Sequence, residues 1–98
     1  MQSNTEKYKT IIVPIILKHA PQAKIFLYGS RARKDDRTGS DIDIALDAGK
    51  KLEGRVINKI IEDLDESSLP ILFDIVDFYT VSPQMQKEIM KDGVVWHE

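Results

Sequence analysis

The stretch Leu27–Leu46, LYGSRARKDDRTGSDIDIAL, decides how this chain is read. Its first residues complete the run AKIFLYG, residues 23–29, which is β-branched and aromatic in character and closes on Gly29, the pattern of a strand. SRAR, from Ser30, reads as a short helix, KDDRTGS as a loop, and DIDIALD as a second strand. The aspartates do not suit that second strand. Strand side chains alternate, so Asp41 and Asp43 share one face while Ile42, Ile44 and Leu46 take the other and form core. Two carboxylates about 7 Å apart along a strand repel each other unless positive charge lies between them, and a divalent cation with hard oxygen ligands supplies it. Taken alone, the pair would also fit a solvated sheet edge.

Two further features bear on that choice. Residues 71–78, ILFDIVDF, read as a third strand, in which Asp74 shares a face with Leu72 and Val76, and Asp77 takes the opposite one. Only one of these acids can join Asp41 and Asp43. Asp74 lies deeper in the apolar run, where a lone carboxylate would be badly desolvated, whereas Asp77, nearer the strand end, could simply be solvated. Upstream, Gly29 ends a strand and Ser30 starts a helix. Glycine permits a tight turn and close approach of a ligand, and the first helical N–H groups point at free space. Gly29 and Ser30 therefore form a candidate phosphate cradle, with Arg31 and Arg33 placed for charge-assisted contacts. It is not a Walker P-loop, because no Gly-Lys-Ser/Thr follows.

The rest of the chain supplies a frame. Residues 4–20 have apolar positions at helical spacing, from Tyr8 to Ala20, with Asn4 or Thr5 as cap. Pro14 implies a kink or a later start. LEGRVINKIIEDLDES, residues 52–67, is an amphipathic helix with Leu52, Val56, Ile60 and Leu64 on one stripe. Ser82 caps a last helix with Pro83 at its first position and Gly93 beyond its end. VVWHE forms a tail or short strand, in which Trp96 either packs back over the sheet or joins an apolar patch for a partner. The order predicts a single α/β domain over residues 1–98, a small mixed β-sheet flanked by helices, with the direction of the first two strands left open.

Composition excludes several classes. The 98 residues are 42% apolar and 31% charged, as in a folded soluble domain. A net charge of -2 argues against bulk nucleic-acid binding. The absence of cysteine removes disulfides and thiolate metal sites and fits a cytoplasmic location. The longest apolar run, Ile11–Leu17, is too short for a bilayer, and the N-terminus has no signal-peptide pattern.

Gly29-Ser30, ten intervening residues, Asp41-Ile42-Asp43 and a later Asp74 resemble the nucleotidyltransferase superfamily that includes DNA polymerase β. In so short a chain, LYGSRAR…SDIDIAL is similar to the minimal nucleotidyltransferases (MNT). The resemblance implies the polymerase β-like fold, phosphate contacts at Gly29 and Ser30, and Mg²⁺ bound by Asp41 and Asp43, with Asp74 completing a two-metal site. It also implies ATP as substrate and a HEPN-domain partner, to which some members transfer AMP as antitoxins. Two departures stand out. Lys34 occupies the place of a glycine usual after Arg-Ala-Arg, and the chain lacks the added domain with which larger relatives hold base and acceptor. Base choice and acceptor binding would then depend on a partner or on a homo- or hetero-oligomer.

The implied reaction is attack of an acceptor hydroxyl on the α-phosphorus with loss of pyrophosphate, at a site open enough for a macromolecular acceptor. Two rivals differ in class. A docking antitoxin would neutralise its partner without ATP. A phosphatase with an aspartate nucleophile would need Thr or Val soon after the Asp pair, where Ile44-Ala45 stand, and has no use for Gly29-Ser30.

Overall fold

The computed structural model describes residues 5–33 and 41–98. The cap residue Asn4, Lys34 and the loop KDDRTGS lie outside the described residues. Among the described residues four helices and four strands follow in the order α1 (Thr5–His19), β1 (Lys24–Tyr28), α2 (Ser30–Arg33), β2 (Ile42–Asp47), α3 (Gly54–Glu66), β3 (Phe73–Asp77), α4 (Pro83–Asp92) and β4 (Val94–His97). The strands form one sheet in the order β3-β2-β1-β4. β1 runs antiparallel to both β2 and β4, while β2 and β3, joined through α3, are parallel. The sheet is therefore mixed, as expected, and the open question of β1 against β2 resolves as antiparallel.

Alternation along the strands builds two unequal faces. On one, Ile25, Leu27, Ile42, Ile44 and Leu46 are buried with Ile12 and Ile16 of α1 and Ile60 and Leu64 of α3. Trp96 of β4 joins this core at 6% exposure, so the tail packs back on the body. On the other face, Tyr28, Ala45 and Ile89 of α4 form a smaller cluster with Phe26, Val76, Phe78 and Met85 against it. Among the described elements α4 covers that face alone. The acid positions lie on it, towards the start of β2 and β3.

Local chemistry accounts for the element ends. Ser82 accepts a hydrogen bond from the Met85 N–H at 3.1 Å, Pro83 opens α4, and the Gly93 N–H closes it on the Ile89 carbonyl at 2.8 Å. α1 shows no later start and runs through Pro14, which is exposed, so the unmatched Thr10 carbonyl faces solvent. α3 begins at Gly54, two residues after Leu52. Leu52 still reaches the core, because its N–H is bound by the Asp77 carboxylate at 2.7 Å. Among the described residues no helix is long and apolar enough to cross a membrane.

Candidate functional site

The site begins with a row across the sheet. Asp43 on β2 is flanked by Tyr28 of β1 on one side and Asp74 of β3 on the other. Same-register neighbours project to the same face, so Asp43, Asp74 and the Tyr28 phenol share one surface. Asp41 precedes β2, two residues from Asp43, and is exposed. This is the surface on which Ala45 and Ile89 pack, and the acids occupy the end that α4 leaves uncovered.

Gly29 makes the row compatible with a turn. Its φ is +75°, the left-handed region that disfavours a side chain. A Cβ at this position would collide with the Asp43 carboxylate oxygen Oδ2. The carboxylate thus lies directly against the turn, in space that only glycine leaves free. The Gly29 carbonyl accepts from the Ala32 and Arg33 N–H groups, each at 3.1 Å, which closes the single turn of α2. With four residues, α2 contributes local N–H groups more than a developed macrodipole.

The two arginines expected at the phosphates have different surroundings. Arg33 is half exposed, with Nη1 4.0 Å from Asp92 Oδ2 at the end of α4, and its charge reaches Asp43. Arg31 is buried at 8% exposure; its Nη1 donates to Thr5 Oγ1 at 3.0 Å and its guanidinium lies 6.0 Å from the Tyr8 ring centre. These contacts join α2 to α1, so Arg31 supports the turn from behind. Ser30 opens α2 directly after Gly29.

The electrostatics reflect crowding of like charge. Burial, then the negative charges of Asp74 and Asp41, push the Asp43 carboxyl up from its ordinary value, with Arg33 opposing. Burial followed by Asp43 and Asp74 pushes the Tyr28 phenol up to about 12, so it stays protonated at neutral pH. Among the described residues no group of three His, Cys, Asp or Glu side chains is arranged to hold a metal ion. The donor set nevertheless suits Mg²⁺, which is commonly held by one or two carboxylates plus substrate phosphates and seldom by an all-protein cage.

Asp74 and Asp77 reverse the burial expected of them. Asp74 is exposed, because β3 is an edge strand and its acid face is uncovered there. Asp77 is 4% exposed and accepts from Leu52 N at 2.7 Å and Tyr79 N at 2.9 Å. It ties the segment before α3 to the end of β3, on the face away from Asp43. The parity argument that admits Asp74 and excludes Asp77 agrees with the register. Tyr28 went unnoticed in the sequence, since its place opposite Asp43 follows from strand pairing alone.

Known proteins share this frame. A model of the family "Polymerase beta, Nucleotidyltransferase" matches residues 11–98. The probable protein adenylyltransferase MntA of Haemophilus influenzae is 28% identical over 88 residues, covering 90% of this chain and 77% of that protein. A crystal structure of a toxin–antitoxin with AMP-PNP superposes with a TM-score of 0.76 at 25% identity, over 90% of this chain and 71% of the other. The fold also matches a chain in the structure of tri-AMPylated Shewanella oneidensis HEPN toxin in complex with MNT antitoxin, with a TM-score of 0.72 at 23% identity over 93% of this chain and 70% of that one.

Proposed function

Because the chain belongs to the polymerase β nucleotidyltransferase family, we propose that it transfers AMP from ATP to a hydroxyl of a partner protein, and that the partner is a HEPN-type toxin which this chain silences as antitoxin. One observation carries the reading: the Asp43 carboxylate is packed against the Gly29 turn and flanked across the sheet by Asp74. A phosphate cradle and an acid pair then meet at one point. The kinship with a protein adenylyltransferase and with a toxin–antitoxin structure holding the ATP analogue AMP-PNP supports both nucleotide and acceptor.

In this reading the triphosphate lies across the Gly29-Ser30 backbone, with Arg33 offsetting charge on the departing pyrophosphate. Asp41 and Asp43 would hold one Mg²⁺ against the phosphates, and Asp74 would share a second. Bound Mg²⁺ supplies Lewis-acid polarisation of the phosphoryl oxygens and lowers the pKa of the acceptor hydroxyl. The acceptor oxygen bonds to the α-phosphorus, the bond to the β-phosphate bridging oxygen breaks, and pyrophosphate leaves. Asp74, exposed at the sheet edge, would take the hydroxyl proton. Arg31 acts indirectly, by bracing α2 through Thr5 and Tyr8.

The test is mass spectrometry of a HEPN-domain partner mixed with this protein, ATP and Mg²⁺. The partner gains mass in steps of one AMP and loses toxicity; Asp41→Asn and Asp43→Asn stop both. Protection without added mass, retained by both variants, would replace transfer with inhibition by docking.

A further inference from the structure

The sheet face that carries the acids does not end at them. Along β3 the same face presents Leu72, Asp74 and Val76, and Phe78 follows at the strand's end. α4 packs on this face through Ile89 and Met85. Its flank next to Phe78 forms a shallow groove lined by Phe78, Pro83, Gln86, Lys87, Met90 and Lys91. Met90 is 67% exposed and Leu72 72% exposed, so two large apolar side chains on this side of the molecule face water. Lys87 and Lys91 are exposed, lie one helical turn apart, and make no ion pair with any described residue. The groove therefore has an apolar floor and a basic rim in a chain whose net charge is -2.

We infer that the groove between Phe78 and α4 is where the acceptor protein docks, by a segment that places a large apolar side chain over Phe78 and Met90 and carboxylates beside Lys87 and Lys91. The inference rests on the transfer reading above. Continuity argues for the acceptor as occupant. A hydroxyl delivered to Asp74 comes in over the exposed edge of β3, and Phe78, which directly follows that strand and packs on the same face, lines the groove. Charge argues the same way. An acidic segment is repelled by Asp41, Asp43 and Asp74, so the two free lysines can hold its carboxylates to the groove while only the hydroxyl reaches the acids. Apolar anchors ringed by charge are the usual composition of a docking patch.

The test uses the full chain and a purified HEPN-domain partner, with binding followed by calorimetry and transfer by adduct mass. Lys87→Glu/Lys91→Glu and Met90→Ser change exposed residues and leave the fold and Mg²⁺–ATP affinity within twofold of the starting protein. Partner affinity falls at least about tenfold in each, as expected for loss of a docking anchor or of paired charges, and the KM for the partner rises while the rate at saturation holds. Hydrogen exchange in the complex protects residues 83–91. Normal partner affinity in these variants, or protection on the α1–α3 side instead, overturns the docking site even when AMP is transferred. Weakened affinity in the variants of a protein that transfers no AMP overturns the transfer reading and leaves the docking site standing. Absence of any complex overturns both.

Discussion

Asp43 is the residue on which the site's energetics turn. It sits among like charges, partly buried, with its carboxyl pushed up by burial and by Asp74 and Asp41. An acid whose pKa is higher folded than unfolded binds more protons in the native state. Stability therefore falls as pH rises from the ordinary carboxylate value of 3.8 through the raised one, and the penalty is complete above it. Asp43→Asn removes that penalty. In metal-free buffer its Tm should exceed that of the unaltered protein at pH 7, with the gap closing as pH drops below the window. Mg²⁺ with ATP should raise the Tm of the unaltered protein but not of Asp43→Asn. An equal or lower Tm for the variant at pH 7 would mean that Asp43 is not under repulsion. Loss of function with gain of stability is the usual mark of a residue kept for chemistry.

At the scale of the element, β3 divides two acids between two tasks. Asp74 faces the site on an open edge, whereas Asp77, three residues on, is enclosed and binds two backbone N–H groups. Asp74→Asn should abolish AMP transfer with little change in stability. Asp77→Ala should leave the buried Leu52 N–H and the part-buried Tyr79 N–H without their acceptor, costing about 1–3 kcal/mol, chiefly from the buried Leu52 donor. The protein that remains folded should keep most of its activity. Denaturant titration and adduct mass, measured on the same two variants, separate the outcomes. Activity lost in Asp77→Ala at full stability would require a different register for β3. The burial of these two acids was not legible beforehand. The apolar run around Asp74 suggested a desolvated carboxylate, but β3 lies at the sheet edge, where an apolar run need cover only one face.

For the whole molecule, β4 is what closes the fold. The chain returns from α4 to lay Val94–His97 beside β1, the strand that leads into Gly29. Trp96 is buried in the main core, while Val94 and Val95 are about half exposed at 42% and 44%. Truncation after Gly93 should therefore cost at least the roughly 3–5 kcal/mol of removing a buried Trp, before the lost pairing with β1 is counted. Thermal unfolding measures it. A truncated chain of unchanged Tm that has lost its partner would instead make the tail an interface.

Strand alternation over residues 41–46, the Gly29-Ser30 junction and the Ser82-Pro83…Gly93 frame of α4 are properties of short segments, each set by one residue type with one conformational or hydrogen-bonding reason. They could be read before any fold was known, and with them the family and the candidate acids Asp41, Asp43 and Asp74. Pairing is another matter. The antiparallel β1–β2 pair brings Tyr28 against Asp43 and leaves Gly29 the one residue whose missing Cβ admits the carboxylate. The turn of α2 sends Arg31 inward to Thr5 and Arg33 outward towards Asp92 and Asp43, although in sequence the two look alike. Burial of a charge, and the neighbour that offsets it, depend on which strand lies at the edge and which helix covers which face. Those are decided by contacts between segments far apart in the chain, so only the tertiary structure contains them.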